Sequence, residues 1–267
     1  ARDRVFLSSA FIGCDFIVHL AAVKKIVESQ VSYETLDVNV VATKNVLDIA
    51  RTTGAKVVFA STSDIYGISE EVPFREDQDL VIGQSLAKRW SYAVSKMYAE
   101  HLCVGYNKDF GVDVVMLRYF GGFSEKSAFL WSGGHVPIFI NQIINGEEIT
   151  IHGDGSQTRS MGHASDLAMG TYLAMQKIKN CSGEIINIGN DEEISVLDTA
   201  YMIADKLNVR RSQLKINFVP ESEVYGVYRD LRRRRPDLTK AKQLLGYKPN
   251  LSFENAIDLV CDSIKKG

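Results

Sequence analysis

The stretch Val57-Val58-Phe59-Ala60, followed at once by Ser61-Thr62-Ser63, decides the fold class of this chain. Consecutive apolar residues that end in small hydroxyl residues are typical of a strand buried on both faces, as in a parallel sheet. A second apolar run covers 16–20 and leads into His19-Leu20-Ala21-Ala22, and a third covers 112–117. We predict a buried strand for each run.

Helical patterns separate these strands. Apolar residues recur at helical spacing over 38–49, with Gly54 as a stop signal, and a longer pattern covers 90–110 and ends at Gly111. Strands and helices that alternate in this way predict right-handed crossovers and one parallel sheet. The second half continues the alternation less regularly. We predict helices over 136–145, 166–177, 196–207, 239–245 and 253–265, and strands over 148–152, 184–188 and 214–218.

The composition is that of an ordinary globular protein. The 267 residues include 31 Lys plus Arg and 33 Asp plus Glu, which gives a formal net charge of −2. This balance argues against nucleic acid as a partner, although Arg232-Arg233-Arg234-Arg235 is a local basic run. A solvated basic turn is the simplest interpretation of Arg232 and Arg233.

Cysteine spacing and hydropathy indicate a compartment. The four cysteines, Cys14, Cys103, Cys181 and Cys261, form no C-x-x-C pair and are expected to be free thiols in a reducing environment. No apolar run approaches the length of a membrane span, and the first residues lack a signal-peptide pattern. We therefore expect a cytoplasmic location, with no membrane association and no metal site.

The candidate chemistry lies where the predicted strands end. Ligands bind beyond the carboxyl ends of strands in an open parallel sheet. The segments 19–22, 61–67 and 118–122 follow the three predicted strands, so we expect them to converge on one crevice.

Tyr92 and Lys96 lie in the first turns of the long predicted helix, where positions i and i+4 share a face. A lysine ammonium beside a phenol lowers the pKa of the phenol, which is ordinarily about 10. A tyrosine activated in this way can remove a proton from an alcohol while hydride leaves the same carbon. An ordinary surface pair on a helix is the alternative interpretation.

Hydroxyl residues in Ser61-Thr62-Ser63-Asp64 add to this case, because they directly follow a buried strand. They could hydrogen-bond a reacting sugar hydroxyl or ketone, and Asp64 could act as an acid or a base. The alternative is a strand-to-loop turn in which the hydroxyls satisfy backbone groups.

An ordered set of motifs resembles the extended short-chain dehydrogenase/reductase family, which comprises NAD-dependent nucleotide-sugar epimerases, dehydratases and decarboxylases. The resemblance runs in order over nearly the whole chain from residue 16 onward. The motifs are 19–22, Asn39 with Thr43 and Asn45, 61–67, 92–96, 117–120, 153–159, 187–190, 236–241 and Pro249.

The resemblance implies an α/β fold with a Rossmann-like, doubly wound parallel sheet and a smaller C-terminal α/β substrate-binding region. It implies a partial NAD-binding domain over 1–120 and a substrate region over 121–267, with segments near 151–190 returning to the sheet. It further implies a UDP-linked sugar as substrate and a homodimer.

The resemblance also implies roles for single residues. The implied catalytic residues are Thr62, Tyr92, Lys96, Ser63 and Asp64, with Tyr92 as the base and Lys96 lowering its pKa. The implied cofactor-binding residues are Leu20, Ala21, Ala22, Asn39, Ser61, Tyr92, Lys96 and Tyr119. The implied substrate-binding residues are Arg159, Arg234 and Gly121, with the guanidinium groups suited to phosphate or, for Arg159, an acidic sugar.

Two departures from the family pattern affect the prediction. Relatives continue Arg-Tyr-Phe with Asn, whereas this chain has Phe120-Gly121-Gly122, so one substrate contact is expected to be missing. The G-x-x-G-x-x-G loop that lets a backbone approach the pyrophosphate is also missing, because 10–13 contains only its final glycine. We interpret 8–13 as the end of the helix before the first predicted strand, so the first strands and the glycine loop are expected to be absent from this sequence.

The implied reaction begins with oxidation of the sugar at C4. Our first prediction is a UDP-sugar 4-epimerase, and a UDP-glucuronate decarboxylase is the nearest alternative, since Thr62-Ser63-Asp64 approaches the Thr-Ser-Glu pattern. A 4,6-dehydratase needs an Asp-Glu pair after the threonine and is disfavoured. A non-catalytic relative that acts as a binding or interface protein is the alternative of another class.

Overall fold

The computed structural model describes residues 1–24, 32–87, 89–127, 134–225 and 231–266. Its helices are α1 (Arg4–Ala10), α2 (Ser32–Thr53), α3 (Trp90–Phe110), α4 (His135–Ile144), α5 (Ala164–Gln176), α6 (Ile178–Cys181), α7 (Val196–Lys206), α8 (Glu221–Tyr225), α9 (Thr239–Leu245) and α10 (Phe253–Lys266). Its strands are β1 (Phe16–His19), β2 (Lys56–Thr62), β3 (Val114–Tyr119), β4 (Gly121–Phe123), β5 (Ile149–His152), β6 (Thr158–Arg159), β7 (Met161–His163), β8 (Ile185–Ile188), β9 (Ile194–Ser195) and β10 (Ile216–Val219).

The central sheet contains four parallel strands in the order β1-β2-β3-β8. In β2, Val57 lies opposite Val114 of β3, and the pairing continues to Thr62 opposite Tyr119. Consecutive residues of β2 and β3 are buried. Because both faces of each strand are covered, the sequence of each strand contains an unbroken apolar run.

Helices cover both faces of this sheet. On one face, Val57 and Phe59 pack with residues of α1, α2 and α3. On the other face, Val58 packs with residues of α5, α6 and α9. Successive side chains of a strand point to opposite faces, so the alternation of these residues between the two clusters confirms the predicted doubly wound α/β fold.

A separate hydrophobic cluster lies in the C-terminal half of the chain. It joins the apolar faces of α4, α7 and α10 to β5 and to Phe123 of β4. Short strand pairs border it: β5 with β10, β4 with β7, and β6 with β9. The division of the chain at residue 120 stays a prediction.

Most predicted elements match the structure within a few residues, but the third predicted strand is shifted. It was expected over 112–117, whereas β3 covers Val114–Tyr119. Gly111 ends α3 in the left-handed conformation, with φ of 68°, so two residues are needed before the chain pairs with β2. The strand then continues because Arg118 and Tyr119 pair with β8.

The two-residue strands β6 and β9 were not predicted, because such short segments carry no recognisable alternation of apolar and polar residues. None of the helices in the described ranges is both long and apolar enough to cross a membrane.

Candidate active site

A cavity of about 770 Å³ opens at the carboxyl ends of β1, β2 and β3. The predicted convergence of three segments is therefore observed. Among the predicted site residues, those that line the cavity are Leu20, Ala22, Ser61, Thr62, Ser63, Asp64, Tyr92, Lys96, Tyr119, Gly121, Arg159 and Arg234.

Two predicted cofactor residues lie elsewhere in the described structure. Ala21 is exposed and is not among the lining residues. Asn39 is buried behind the cavity wall, where its Oδ1 accepts from Val23 N at 2.7 Å and its Nδ2 donates to Ser95 Oγ at 2.9 Å. The structure therefore gives Asn39 protein partners rather than a place on the cavity surface.

Helix α3 and strand β2 bring the proposed chemical groups together. The Tyr92 hydroxyl hydrogen-bonds Thr62 at the end of β2. One turn further along α3, buried Lys96 donates from Nζ to Ala60 O at 2.6 Å. The phenol, the hydroxyl and the ammonium thus lie along one wall of the cavity, as the i, i+4 spacing indicated.

The electrostatic expectation for Tyr92 differs from what the structure shows. Burial and the negative charge of Asp64 raise the pKa of Tyr92, and the hydrogen bond with Thr62 only partly offsets them. Burial also lowers the pKa of Lys96 to about 8. The predicted lowering of the pKa of Tyr92 by Lys96 is therefore absent from this arrangement, because the ammonium is directed to Ala60 O and the phenol faces a carboxylate.

Asp64 is surrounded by cations at the cavity wall. Arg234 Nη1 donates to its Oδ1 at 2.5 Å, Arg89 Nη2 lies 3.8 Å from Oδ1, and Lys24 Nζ lies 3.9 Å from Oδ2. Burial alone would raise the pKa of Asp64, but the charges of Arg234, Lys24 and Arg89 outweigh it and hold that pKa well below its usual range. These cations therefore favour the carboxylate form of Asp64.

A buried ion pair supports this wall from behind. Glu100 of α3 accepts from Arg118 of β3 at 2.9 and 3.0 Å, and Ser61 Oγ donates to Glu100 at 2.5 Å. Both charged side chains are at most 5% exposed. Buried charges are costly without a partner, and here each charge has one. The hydrogen bond from Ser61 to Glu100 links the end of β2 to α3.

The Gly121-Gly122 departure has a steric cause. A Cβ on Gly121 would lie 2.9 Å from Met161 Cγ, and a Cβ on Gly122 would lie 2.4 Å from Leu167 Cδ1. These glycines let β4 pair closely with β7. The side chains of Met161 and Leu167 fill the space that an asparagine side chain would need.

Three buried polar atoms at the cavity have no hydrogen-bond partner among the described residues. They are Gln157 Oε1, Ser160 Oγ and Arg234 Nε. All three residues line the cavity. Because an unpaired buried polar atom is costly, these atoms fit a site that binds a polar ligand.

A family model described as "NAD dependent epimerase/dehydratase family" matches residues 2–189 of the chain. The chain belongs to the NAD-dependent epimerase/dehydratase family. The match confirms the predicted family, the predicted enzyme class and NAD as the cofactor of that class.

Several known proteins resemble the chain over nearly all of its 267 residues. It is 36% identical to the UDP-N-acetyl-alpha-D-glucosaminuronate decarboxylase of Bacillus cytotoxicus, over 91% of the chain and 74% of the relative. It is 35% identical to UDP-glucuronic acid decarboxylase 1 of Danio rerio, over 93% of the chain and 56% of the relative. A crystal structure of UDP-glucuronic acid 4-epimerase from Bacillus cereus, with UDP-glucuronic acid and NAD, superposes with a TM-score of 0.85 at 29% identity and covers 97% of the chain and 78% of the epimerase.

The sequence motifs did not indicate two cationic residues that line the cavity, Lys24 and Arg89. Arg89 lies three residues before Tyr92, about one helical turn, and Lys24 lies two residues after Ala22. Their short distances in sequence from Ala22 and Tyr92 are the signal by which they could be predicted. Their shared partner, Asp64, is distant in sequence from both.

Proposed function

We propose that this chain forms the site of an NAD-dependent enzyme that oxidises C4 of a UDP-linked hexuronate and then removes the sugar carboxylate as carbon dioxide. The observation that carries the proposal is the hydrogen-bonded Thr62–Tyr92 pair, which adjoins Asp64 and Arg234 on one cavity wall. The relatives named above as decarboxylases act on UDP-linked uronates, and this supports the substrate class.

In this proposal, Tyr92 and Thr62 take part in removing the proton of the sugar 4-hydroxyl. As a phenolate, Tyr92 accepts the proton of the sugar 4-hydroxyl, and Thr62 holds that oxygen by a hydrogen bond. The positive nicotinamide ring of NAD, when bound, would favour the phenolate and so offset the burial and the Asp64 charge that raise the pKa of Tyr92. An ammonium has three N–H donors. Lys96 can therefore donate to Ala60 O and, at the same time, to a ribose hydroxyl of the cofactor. NAD, when bound, supplies reversible acceptance of hydride. Leu20, Ala22, Ser61 and Tyr119 would complete the nearby wall.

The sugar carboxylate is lost as carbon dioxide once C4 is a ketone. The bond between C5 and the carboxyl carbon breaks, its electron pair moves into the 4-keto group to form an enolate, and a proton then adds at C5. The hydride taken from C4 and the proton held by Tyr92 would then return to C4 and its oxygen, which gives a UDP-pentose with a 4-hydroxyl.

Epimerisation at C4 is the second candidate. The similarity to the Bacillus cereus 4-epimerase supports this outcome. Both candidates share C4 oxidation of the same class of substrate.

We further propose a homodimer in the cytoplasm, with NAD bound by residues 1–120 and the nucleotide sugar bound mainly by 121–267. Exposed apolar side chains on α2 and α3, Tyr33 and Tyr98, support a subunit contact. The four free cysteines support a reducing compartment. We assign the binding of the nucleotide sugar to three residues that line the cavity, Gln157, Arg159 and Ser160.

A product analysis tests the proposal. The protein is incubated with NAD and UDP-glucuronate, products are identified by proton NMR, and released carbon dioxide is trapped. We expect a UDP-pentose and one carbon dioxide for each sugar consumed. A UDP-hexuronate inverted at C4 without carbon dioxide would favour epimerisation, and unchanged substrate would contradict both candidates.

Tyr92→Phe provides the matched variant, because it removes only the proposed proton acceptor. We expect turnover to fall by about 10²- to 10⁴-fold, the usual contribution of a positioned acid or base. Tyr98→Phe is the control, since Tyr98 lies on the same helix and is 51% exposed. Equal turnover in the two variants would exclude Tyr92 as the proton acceptor.

A further inference from the structure

Three successive residues at the end of β2 are each bonded to one face of α3. The bonded pairs are Ala60 with Lys96, Ser61 with Glu100 and Thr62 with Tyr92. The three α3 residues are spaced four apart, so they lie along the same side of the helix. Two of these bonds hold Tyr92 and Lys96, which are assigned to the chemistry, and the middle bond holds neither.

The middle bond ends on a residue that a third element holds in place. Glu100 accepts from Arg118 Nε at 3.0 Å and from Arg118 Nη2 at 2.9 Å, and Arg118 lies directly opposite Ser61 in the pairing of β3 with β2. The Arg118 guanidinium also lies 4.9 Å from the centroid of the Tyr66 ring. Glu100 is thus anchored to β3 independently of its bond with Ser61.

Stability alone does not account for a buried ion pair at this position. The desolvation of two charges largely cancels their attraction, and apolar side chains of similar volume are often as stabilising or more so. The bonds of the pair are directional, however, so they select one orientation of the Glu100 carboxyl group. That group then presents Oε1 to Ser61 at 2.5 Å.

The hydroxyl of Ser61 is committed to this carboxyl group. A serine hydroxyl has one hydrogen to donate, and Ser61 gives it to Glu100. The residue is only 3% exposed. The bond therefore accounts for the side chain of Ser61 by a protein partner, whereas the family resemblance implied a contact with the cofactor.

We propose that Ser61 and Glu100 are positioning residues, whose hydrogen bond sets the end of β2 so that Thr62 meets Tyr92 and Ala60 O meets Lys96. The inference rests on the proposed function, because it takes Tyr92 as the proton acceptor. Ser61 is the link between the neighbours on either side of it in β2 and the anchored carboxyl group.

Ser61→Ala tests the link, because it removes one hydroxyl and leaves the Glu100–Arg118 pair intact. We expect kcat with UDP-glucuronate, at saturating NAD, to fall by about 10- to 100-fold, the effect of a small misplacement of reacting groups. The dissociation constant of NAD, measured by calorimetry, should stay unchanged. A weakened NAD affinity with kcat retained would overturn the inference, because Ser61 would then serve the cofactor.

Ser69→Ala is the matched control for Ser61→Ala. Ser69 is also buried, its Oγ accepts from Glu71 N and Gln78 Nε2, and it is not among the residues that line the cavity. It should leave kcat and NAD affinity unchanged. If Ser61→Ala likewise lost only unfolding free energy, with kcat and NAD affinity both retained, its role would be structural and the inference would be wrong.

Fluorine NMR tests the same link without turnover. Fluorotyrosine is incorporated at position 92, and its resonance is compared between the otherwise unsubstituted chain, Ser61→Ala and Ser69→Ala, with neither NAD nor sugar present. We expect Ser61→Ala alone to shift or split the resonance, because Thr62 is no longer held in one place against the phenol. An unchanged resonance would contradict the inference.

Removing the ion pair as a whole tests whether Ser61 acts through Glu100. Glu100→Leu combined with Arg118→Met avoids leaving a buried charge unpaired. In that background, Ser61→Ala should cause no further fall in kcat and no further change in the resonance. A further change as large as in the unsubstituted chain would overturn the inference. Failure of the proposed function is separate: the unsubstituted chain would show no NAD-dependent turnover of UDP-glucuronate, and the resonance would still decide the inference.

Discussion

At the scale of single residues, the site depends on side chains that touch no cavity surface. Asn39 is 2% exposed, and its amide bonds both the N–H and the C=O of Val23. Its Nδ2 also donates to Ser95 Oγ, which in turn donates to Tyr92 O. This one side chain therefore fixes the loop before Lys24 against the first turns of α3.

Asn39→Asp keeps the acceptor oxygen but replaces the NH₂ donor by a second oxygen. Val23 O and Ser95 Oγ then face an acceptor, and a charge enters a buried position. We expect the free energy of unfolding to fall by about 1–3 kcal/mol, the cost of leaving buried polar groups unsatisfied. Urea denaturation gives this value.

Asn217→Asp is the control for Asn39→Asp, because Asn217 is exposed on β10. Its unfolding free energy should stay within about 0.5 kcal/mol of the unsubstituted chain, as for most surface substitutions. If both variants lost the same stability, the network around Asn39 would have no special contribution.

At the scale of elements, β1 ends in a histidine whose surroundings keep it neutral. His19 Nε2 lies 3.1 Å from Thr43 Oγ1, and Thr43 donates its own hydrogen to Asn39 O. The Thr43 oxygen is thus an acceptor for an N–H on His19 Nε2. Burial, aided by the charge of Lys96, lowers the pKa of His19 from 6.5 to about 4.

Stability should therefore fall as the pH drops from about 6.5 to about 4. In that window the unfolded chain binds a proton at His19 more readily than the folded chain, so acid favours unfolding. The loss attributable to His19 is up to about 3 kcal/mol, at about 1.4 kcal/mol for each pKa unit. Urea denaturation at pH 7, 6, 5 and 4.5 measures it.

His19→Gln removes this titration and should flatten the pH dependence over the same window. His101→Gln serves as the control, because His101 is exposed on α3 and should leave the slope intact. Asp64 adds its own loss of stability only below about pH 4, where its unfolded form takes up a proton. An unchanged slope in His19→Gln would contradict the assignment.

At the scale of the whole molecule, Asn187 of β8 joins segments that are far apart in sequence. Its Oδ1 accepts from Tyr66 Oη at 2.7 Å, and its Nδ2 donates to Phe74 O at 2.9 Å and Asp237 O at 3.3 Å. Its backbone N–H donates to Glu76 Oε1 at 2.8 Å. The end of the sheet, the 63–76 segment and the segment before α9 are thus held together by one buried residue.

Asn187→Ala should lower the free energy of unfolding by about 2–4 kcal/mol, because several buried polar groups lose a partner together. Tyr66 and Phe74 remain buried, so water cannot readily replace the amide at those partners. Urea denaturation followed by tryptophan fluorescence measures the loss. Asn180→Ala, at an exposed position on α6, should stay close to the unsubstituted chain. Equal loss in the two variants would contradict the bridging role of Asn187.

Much of the fold follows from local patterns. The unbroken apolar runs at β1, β2 and β3 predict buried parallel strands, since both faces of each strand are covered by helices. Glycine at position 111 predicts the end of α3, because it takes the left-handed conformation there. The position of the crevice follows from the topology of parallel sheets.

The sequence by itself determined the α/β class, the order of the main elements and the Tyr92–Lys96 spacing, because these depend on residues close together in the chain. Only the tertiary structure decided the charge environment, since Asp64 meets Arg234 across 170 positions. It also decided that Lys96 is directed to Ala60 and that the pKa of Tyr92 is raised. Burial and the approach of distant charges set those properties, and neither can be read from spacing along the chain.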